Sequence, residues 1–396
     1  MSAVLFDLAL RVSAREAGSP ALRLVHNPAP ARENTVAVAA RRAGRSVRVQ
    51  AVGSDGRIHR GADADGLAAI VRACPDLSCG PTVLVETAAT LSALVPLSRS
   101  NADPAGSPAD VALGSALVGW WTERSAHPGT SAVADLTGIS RARYMLGLAP
   151  GEDTPARWRQ AFAASGGVTG LRAWHAAITA GPVLPGLEAV GEDDTWQWAN
   201  IGEALAAGRS WDRPESLHLA AARLASRCDA ADLYEAALLG DPLWRARAAH
   251  TGFVCCGQVI VGATTSSQRI TVASHRLDTR LKPGTAVIGW VGEPMTAMPG
   301  NEAQFSGEVL RTAVAGGELH LSIGGLRARG YRPAATETVT VIPAPPSVSL
   351  IRSRRAAVGA LYRRRFSWLS QGATPTAARR PVPLAVLIAA AESTEE

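Results

Sequence analysis

Apolar and polar positions repeat with a two-residue period in the first hundred residues. Apolar side chains alternate with others from Val4 to Val12 and from Val47 to Val52, which is typical of half-buried strands. The Asp55-Gly56 pair after the second run indicates a β-hairpin, and helical spacing follows at Asp63–Ala73. The predicted strands are Val4–Val12, Val47–Val52, Arg57–Arg60 and Thr82–Val85. The sequence therefore predicts a mixed α/β domain over residues 1–100.

A helical pattern extends over the middle of the chain, after a polar stretch. Residues Ser98–Asp110 are rich in Ser, Asn, Asp, Pro and Gly, which predicts a linker. Eight of the ten tryptophans lie between residues 108 and 250. Because large aromatic side chains dominate core energetics, we expect these rings to pack in a core rather than stack on bases. A helical domain is predicted over residues 108–250.

Short strands, divided by Gly, Pro and Asn, return beyond about residue 251. The predicted strands of this part are Phe253–Val261, Arg269–Ala273, Ala286–Trp290, Phe305–Leu310, Leu319–Ile323 and Thr336–Ile342. Strands of this length and spacing predict a compact antiparallel β-barrel over residues 251–346. Residues 347–396 are predicted to form a basic, partly disordered tail.

The composition allows a packed core and favours an anionic partner. Hydrophobic residues make up 47% of the chain and charged residues 19%, which excludes wholesale disorder. The formal net charge of +6 is modest for 396 residues. Lys282 is the only lysine, and such a bias towards arginine is typical of a GC-rich genome, for example an actinobacterial one. Clustered guanidinium groups would still bind phosphates in a bidentate manner.

The sequence favours a cytoplasmic protein. The N-terminal residues lack a basic stretch followed by an unbroken apolar core, so we expect no secretory signal. No uncharged apolar run reaches the roughly 18 residues that a membrane helix requires. The five cysteines are few and odd in number, as in a reduced compartment.

One short segment, residues 134–143, carries the main functional expectation. Its pattern predicts the end of one helix, a turn at Gly138 and a second helix that Ser140 opens as a cap. The segment resembles the helix-turn-helix of bacterial repressors and resolvases over roughly 20 residues. That resemblance implies that Arg141 and Arg143 contact bases and phosphates from the first turn of the second helix. A plain corner between two packed helices is the alternative.

The densest positive stretch of the sequence lies between residues 350 and 368. Its arginines are Arg352, Arg354, Arg355, Arg363, Arg364 and Arg365. Aromatic residues are interleaved with them, and this combination can hold phosphates and stack on bases. A solvated or protein-docking face and a membrane-surface helix stay open as alternatives.

Motifs for common chemistries are missing from the sequence. It contains no phosphate-binding loop with a lysine, no dinucleotide-binding glycine motif after a strand, no serine elbow and no zinc-protease motif. The pairs Cys74/Cys79 and Cys255/Cys256 do not have the spacing of zinc ligands. We therefore expect no cofactor and no metal site, and the sequence identifies no catalytic residues.

These observations lead to one overall prediction. The predicted fold class is multidomain α+β, with an N-terminal α/β region, a helical middle domain with a helix-turn-helix-like corner, a C-terminal small antiparallel β-barrel and a basic tail. The leading hypothesis is a non-enzymatic nucleic-acid-binding accessory or regulatory protein of a plasmid, phage or other mobile element. Its expected partners are DNA or another nucleic acid, with protein partners at the β-barrel. A structural or adaptor protein of a multiprotein assembly and an enzyme of unrecognised type stay open as alternatives.

Overall fold

The chain forms two compact units. Its structure is a computed structural model that describes residues 3–30, 32–74, 76–212, 217–263, 268–327, 331–353 and 385–386. The larger unit comprises Met1–Arg213 and Ser226–Val348, and the smaller unit comprises Pro214–Ala225 and Ser349–Glu396. The larger unit contains three sheets.

The helices and strands of the described residues follow in chain order. The strands are β1 (Ala21–Leu22), β2 (Thr35–Ala43), β3 (Ser46–Val52), β4 (Ile58–Ala62), β5 (Thr82–Val85), β6 (Val133–Asp135), β7 (Tyr144–Met145), β8 (Cys255–Val261), β9 (Ile270–Ser274), β10 (Ala286–Val291), β11 (Gln304–Ala315), β12 (Glu318–Gly324) and β13 (Thr338–Pro343). The α-helices are α1 (Ala3–Ala17), α2 (Ala64–Ala73), α3 (Ala89–Ser100), α4 (Ala109–Arg124), α5 (Leu136–Arg143), α6 (Pro155–Ala161), α7 (Thr169–Ile178), α8 (Glu188–Ala206), α9 (Leu217–Gly240) and α10 (Pro242–Ala248). Within these ranges, no helix is both long enough and apolar enough to cross a membrane.

A five-stranded mixed sheet organises the N-terminal part. Its strand order is β4-β3-β2-β5-β6, in which β2, β3 and β4 form an antiparallel meander. Strand β5 pairs in parallel with β2 and with β6. The edge strand β6 comes from the range 108–250, for which the sequence predicts a helical domain.

Helices cover the two faces of this sheet unequally. On one face, α2, α3 and α4 form a core with Val38, Val47 and Val49. On the other face, side chains of α5, α6 and α7 form a core with Ala37 and Val52. On this second face, the residues nearer the β2–β3 turn are exposed. The meander therefore has one face that packs against helices over most of its length and one face that is open over much of its length.

A buried ionic cluster joins the helices to the sheet. Arg124, at the end of α4, is 1% exposed and forms ion pairs with Asp193 and Asp194 of α8. Asp194 also accepts hydrogen bonds from the Thr130 hydroxyl (3.0 Å) and from the Ser131 backbone N–H (2.7 Å). Because unpaired buried charges are costly, this mutual satisfaction holds α4 and α8 to the segment that leads into β6.

The six strands predicted beyond residue 251 are all present, as β8 to β13. They close into a ring in the order β10-β11-β12-β9-β8-β13, and every neighbouring pair is antiparallel. The core of the ring includes Val259, Val272, Val287, Phe305, Leu321 and Val341. The buried Arg245 of α10 donates hydrogen bonds to the carbonyl oxygens of Pro294 (2.9 Å) and Thr296 (2.7 Å). These bonds attach α10 to the β10–β11 connection.

One local prediction from the sequence is wrong, and a second changes its bounds. Val4–Val12 lies within helix α1 and is not a strand. Its apolar residues fit both periods, because Val4, Leu8 and Val12 are also four residues apart and share a helix face. The linker predicted at Ser98–Asp110 is shorter, because α3 continues to Ser100 and α4 begins at Ala109, so residues 101–108 connect the two helices.

The expectation that tryptophans of the middle region pack in the core is largely confirmed. The buried rings are those of Trp120, Trp121, Trp158, Trp174 and Trp198. Trp196 is an exception, with 59% of its surface exposed. The middle tryptophans are therefore mainly a packing feature of the fold.

We predict that Asp194→Asn destabilises the protein by about 3 kcal/mol, because it leaves the buried Arg124 guanidinium short of countercharge. The measurement is urea unfolding, in which the midpoint should fall while the slope with denaturant stays constant. The matched control is Asp212→Asn, since Asp212 pairs with Arg99 at the surface (3.9 Å) and should lose less than about 1 kcal/mol. Equal losses in the two variants would contradict a dominant role for the cluster.

We also predict that stability falls as the pH drops from about 6.5 to about 4. Burial lowers the pKa of His127 to about 4 and that of His175 to about 4. The unfolded chain binds protons at these side chains below about pH 6.5, whereas the folded chain does not, so acid favours unfolding. Between pH 7 and pH 5 the loss should be on the order of 2–4 kcal/mol.

Urea unfolding of the variant His127→Gln/His175→Gln at several pH values tests this assignment. Its free energy of unfolding should depend less on pH in this window, whatever the substitutions do to stability at neutral pH. An unchanged pH dependence would assign the acid sensitivity to other groups.

Candidate nucleic-acid interface

The helix-turn-helix predicted at residues 134–143 is not formed. Val133–Asp135 is strand β6, and Leu136–Arg143 is a single helix. Asp135 caps this helix and accepts a hydrogen bond from the Gly138 backbone N–H (3.0 Å), so Gly138 lies in the first turn rather than between two helices. Ser140 is fully buried within the helix and accepts a hydrogen bond from the Trp174 indole N–H (3.1 Å). The glycine and serine that indicated a turn belong to one capped helix.

The two arginines of this segment are engaged within the protein. Arg143 is 4% exposed and donates hydrogen bonds to the carbonyl oxygens of Ile178 (2.6 Å) and Val25 (2.9 Å). Arg141 is half-exposed and pairs with Asp153, with 2.7 Å between Nε and Oδ2. Arg143 therefore stabilises the fold from a buried position. Arg141 is half-exposed, and Asp153 compensates its charge.

The arginines predicted in the tail are described only in part. Arg352 lies within the described residues and is exposed. The others lie outside the described residues: Arg354, Arg355, Arg363, Arg364 and Arg365. Their assignment to nucleic-acid binding stays a prediction.

A second group of arginines, which the sequence analysis missed, lies on the open face of the β2–β4 meander. Arg41 of β2 is directly opposite Arg48 of β3, and Gln50 of β3 is directly opposite Arg60 of β4. Directly opposite residues have Cβ atoms about 5 Å apart, and diagonal neighbours such as Arg48 and Arg60 are about 7–8 Å apart. All four side chains are exposed. We call this surface, with Ser46, Ile58 and Ala62 beside them, the arginine face.

Three further arginines lie close to the arginine face, although Arg42 points to the opposite side of β2 from Arg41, because side chains in a strand alternate. Arg42 and Arg45 lie at the β2–β3 turn, where Gly44 adopts a φ of +66°, and Arg57 precedes β4. Residues 41–60 thus contain six arginines and a single aspartate, a net charge of +5 in a chain whose total is +6. This end of the sheet therefore carries a local excess of positive charge.

None of these six guanidinium groups has an acidic partner among the described residues. Some surface arginines elsewhere do, as in the pairs Arg72–Asp110 (3.8 Å) and Arg99–Asp212 (3.9 Å). Like charges directly opposite each other in a sheet are destabilising. The arginine face therefore keeps an unfavourable charge arrangement that an anionic ligand would relieve.

The packing beneath the meander determines which side chains reach the arginine face. Val47 and Val49 are buried against α2, so the alternate residues of β3 point the other way. Gly61 lets α2 approach closely, because a Cβ atom there would lie 2.2 Å from the Asp65 carbonyl oxygen. Asp63 accepts hydrogen bonds from the Val47 backbone N–H (2.9 Å) and the Ser46 hydroxyl (2.8 Å). The arginines are thus carried by a firmly packed element.

The carboxylate of Asp63, just after β4, contacts Ser46 of the arginine face and is held by these bonds. The Val47 backbone N–H and the Ser46 hydroxyl lower the pKa of Asp63. This carboxylate stays ionised at neutral pH, but it is engaged with the start of β3 rather than with a guanidinium group.

A cavity of about 410 Å³ at one end of the ring is a second candidate binding site. Its lining includes His250, Cys255, Cys256 and Arg276. Burial raises the pKa of both thiols, that of Cys255 to about 11, so they are poor nucleophiles and poor metal ligands at neutral pH. Arg276 pairs with Asp278 (2.8 Å). Across the described ranges, no three His, Cys, Asp or Glu side chains are grouped as metal ligands.

Sequence reasoning missed the arginine face because its members come from three strands. The available signal was the alternation of Arg48 with Val47 and Val49, together with the excess of arginine over residues 41–60. Only the register of the strands shows that Arg41, Arg48 and Arg60 are neighbours. Comparisons of the chain with protein-family models, with curated proteins and with solved structures find no match.

We predict that Arg48→Gln raises the free energy of unfolding by about 0.5 kcal/mol at low salt, because it removes a like charge directly opposite Arg41. The gain should vanish near 1 M salt, where the screening length is about 3 Å. The measurement is urea unfolding at the two salt concentrations. Arg72→Gln is the control, since its ion pair with Asp110 gives no repulsion to relieve. A loss of stability that is independent of salt would contradict repulsion within the arginine face.

Proposed function

We propose that this chain is a non-enzymatic nucleic-acid-binding protein that holds the phosphate backbone of its ligand with the arginine face. The observation that carries the proposal is the group of six exposed arginines at residues 41–60, for which the described part of the chain supplies no acidic partner. An accessory or regulatory role, as the sequence analysis expects, is part of this proposal.

The chemistry of the arginine face suits phosphate groups. A guanidinium group donates parallel hydrogen bonds to two phosphate oxygens, and it keeps its charge at all physiological pH values. Each phosphate that it neutralises releases condensed counterions, which favours binding at low salt. The one hydroxyl among the named members of the face, that of Ser46, donates a hydrogen bond to Asp63. Binding, rather than bond cleavage, is the activity that these groups support.

We predict that Arg41→Gln/Arg48→Gln weakens the binding of short DNA, because two phosphate contacts are lost. The plot of log affinity against log salt should become shallower by about 2, since each contact contributes about 0.9 to the slope for duplex DNA. Fluorescence anisotropy between about 50 and 200 mM salt measures both quantities. The loss should be the same for unrelated DNA sequences.

The matched control is Arg72→Gln/Arg99→Gln, which removes the same charge from two exposed, ion-paired positions. It should leave the salt slope unchanged within about 0.5. Equal losses in the two double variants would show that net charge alone drives binding and would overturn the site. If the wild-type protein binds an acidic polypeptide but no nucleic acid at low salt, the adaptor alternative replaces the proposal.

A further inference from the structure

We infer that the arginine face takes double-helical nucleic acid, held by its phosphate backbones, in preference to a single strand. This inference rests on the proposed function and adds the class of ligand. It follows from three properties of the face: its lack of aromatic rings, the two-dimensional spread of its charges and its fixed spacing.

The arginine face offers no ring on which a base could stack. Residues 35–62, which include β2, β3 and β4, contain no Phe, Tyr or Trp. His59 is the one residue there with a ring, and it follows Ile58 and precedes Arg60, so it points to the opposite face of β4. Proteins that bind single strands gain much of their affinity from base stacking on aromatic side chains. A single strand on this face would contribute only its phosphates.

The charges of the arginine face extend in two directions. Arg41, Arg48 and Arg60 lie on three neighbouring strands, which are about 4.8 Å apart. Arg45 and Arg57 extend the positive surface at its two ends along the strand direction. A duplex presents about one charge per 1.7 Å of its axis on two backbones, whereas each strand alone presents one per 3.4 Å. The duplex therefore places more phosphates within reach of this broad surface.

The arginine side chains start from positions that the core defines. Val47, Val49 and Ala51 are buried on the opposite face of the same strand, so the backbone that carries Arg48 and Gln50 is well packed. A flexible single strand would have to order itself to match this spacing, which costs conformational entropy. A duplex is regular before it binds. The fixed array therefore favours the ligand that is already ordered.

Direct reading of bases by this surface is limited. Gln50 carries the one side-chain amide among the named members of the face, and it lies opposite Arg60 of β4 on one side and Ala39 of β2 on the other. Arginine and glutamine can both pair with base edges in the major groove, but specificity requires several such contacts in register. We therefore expect similar affinity for duplexes of unrelated sequence.

The experiment compares three labelled DNA ligands with the full chain by anisotropy at equal salt. The ligands are a short duplex, one of its strands, and an unstructured strand twice as long that carries the same number of phosphates as the duplex. The duplex should bind at least about tenfold more tightly than either strand, with the steeper salt dependence expected of duplex contacts. In Arg41→Gln/Arg48→Gln the preference for the duplex should shrink, whereas Arg72→Gln/Arg99→Gln should retain it.

The possible results separate the two proposals. If the long strand binds as tightly as the duplex, and Arg41→Gln/Arg48→Gln weakens both, the preference for duplexes is wrong and the proposed function stands. If no nucleic acid binds at low salt, both are wrong. A Gln50→Ala variant should bind all duplexes like the wild type. A change in the ranking of duplex sequences in this variant would overturn the assignment to backbone contacts.

Discussion

The burial of one face of β3 against α2 is the constraint on which the arginine face depends. Because side chains in a strand alternate, burying Val47 and Val49 sends Ser46, Arg48 and Gln50 to the other side. A shift of the pairing register by one residue would turn Arg48 into the core. The hydrophobic pattern of β3 therefore specifies its register strongly. The same register brings Arg41 and Arg60 alongside Arg48 and Gln50.

Some buried and partly buried arginines of the larger unit differ from those of the arginine face, because they have acidic partners. Arg124 is buried and compensated by Asp193 and Asp194, and Arg247 pairs with Asp7 at 2.9 Å. Where charge is buried, the fold must supply a partner, because desolvation is costly. Where charge is exposed, water and salt screen it, and an uncompensated group is tolerated. What distinguishes the meander is that two of its exposed arginines, Arg41 and Arg48, lie directly opposite each other on paired strands.

The sequence predicted features that depend on neighbouring residues and missed those that depend on pairing. The ring strands and the β3–β4 hairpin were found because each contains its own alternation and ends at turn residues. Helix α1 was mistaken for a strand because its apolar residues fit both periods. The Gly138 segment was predicted to be two helices joined by a turn. In the structure its glycine lies in the first turn of one helix that Asp135 caps, and this arrangement resembles an interhelical turn when only the sequence is considered. The arginine face depends on register between strands, which composition and periodicity do not contain.

Repulsion within the arginine face and attraction to a polyanion are two effects of the same charges. In the free protein, Arg41 and Arg48 repel each other across the strands, and salt relieves that repulsion. In a complex, phosphates neutralise both guanidinium groups, and salt competes with them. Salt therefore stabilises the free fold slightly while it weakens the complex strongly. Since a ligand stabilises the state that it binds, nucleic acid should stabilise the folded chain most at the low ionic strength where the free meander is least stable.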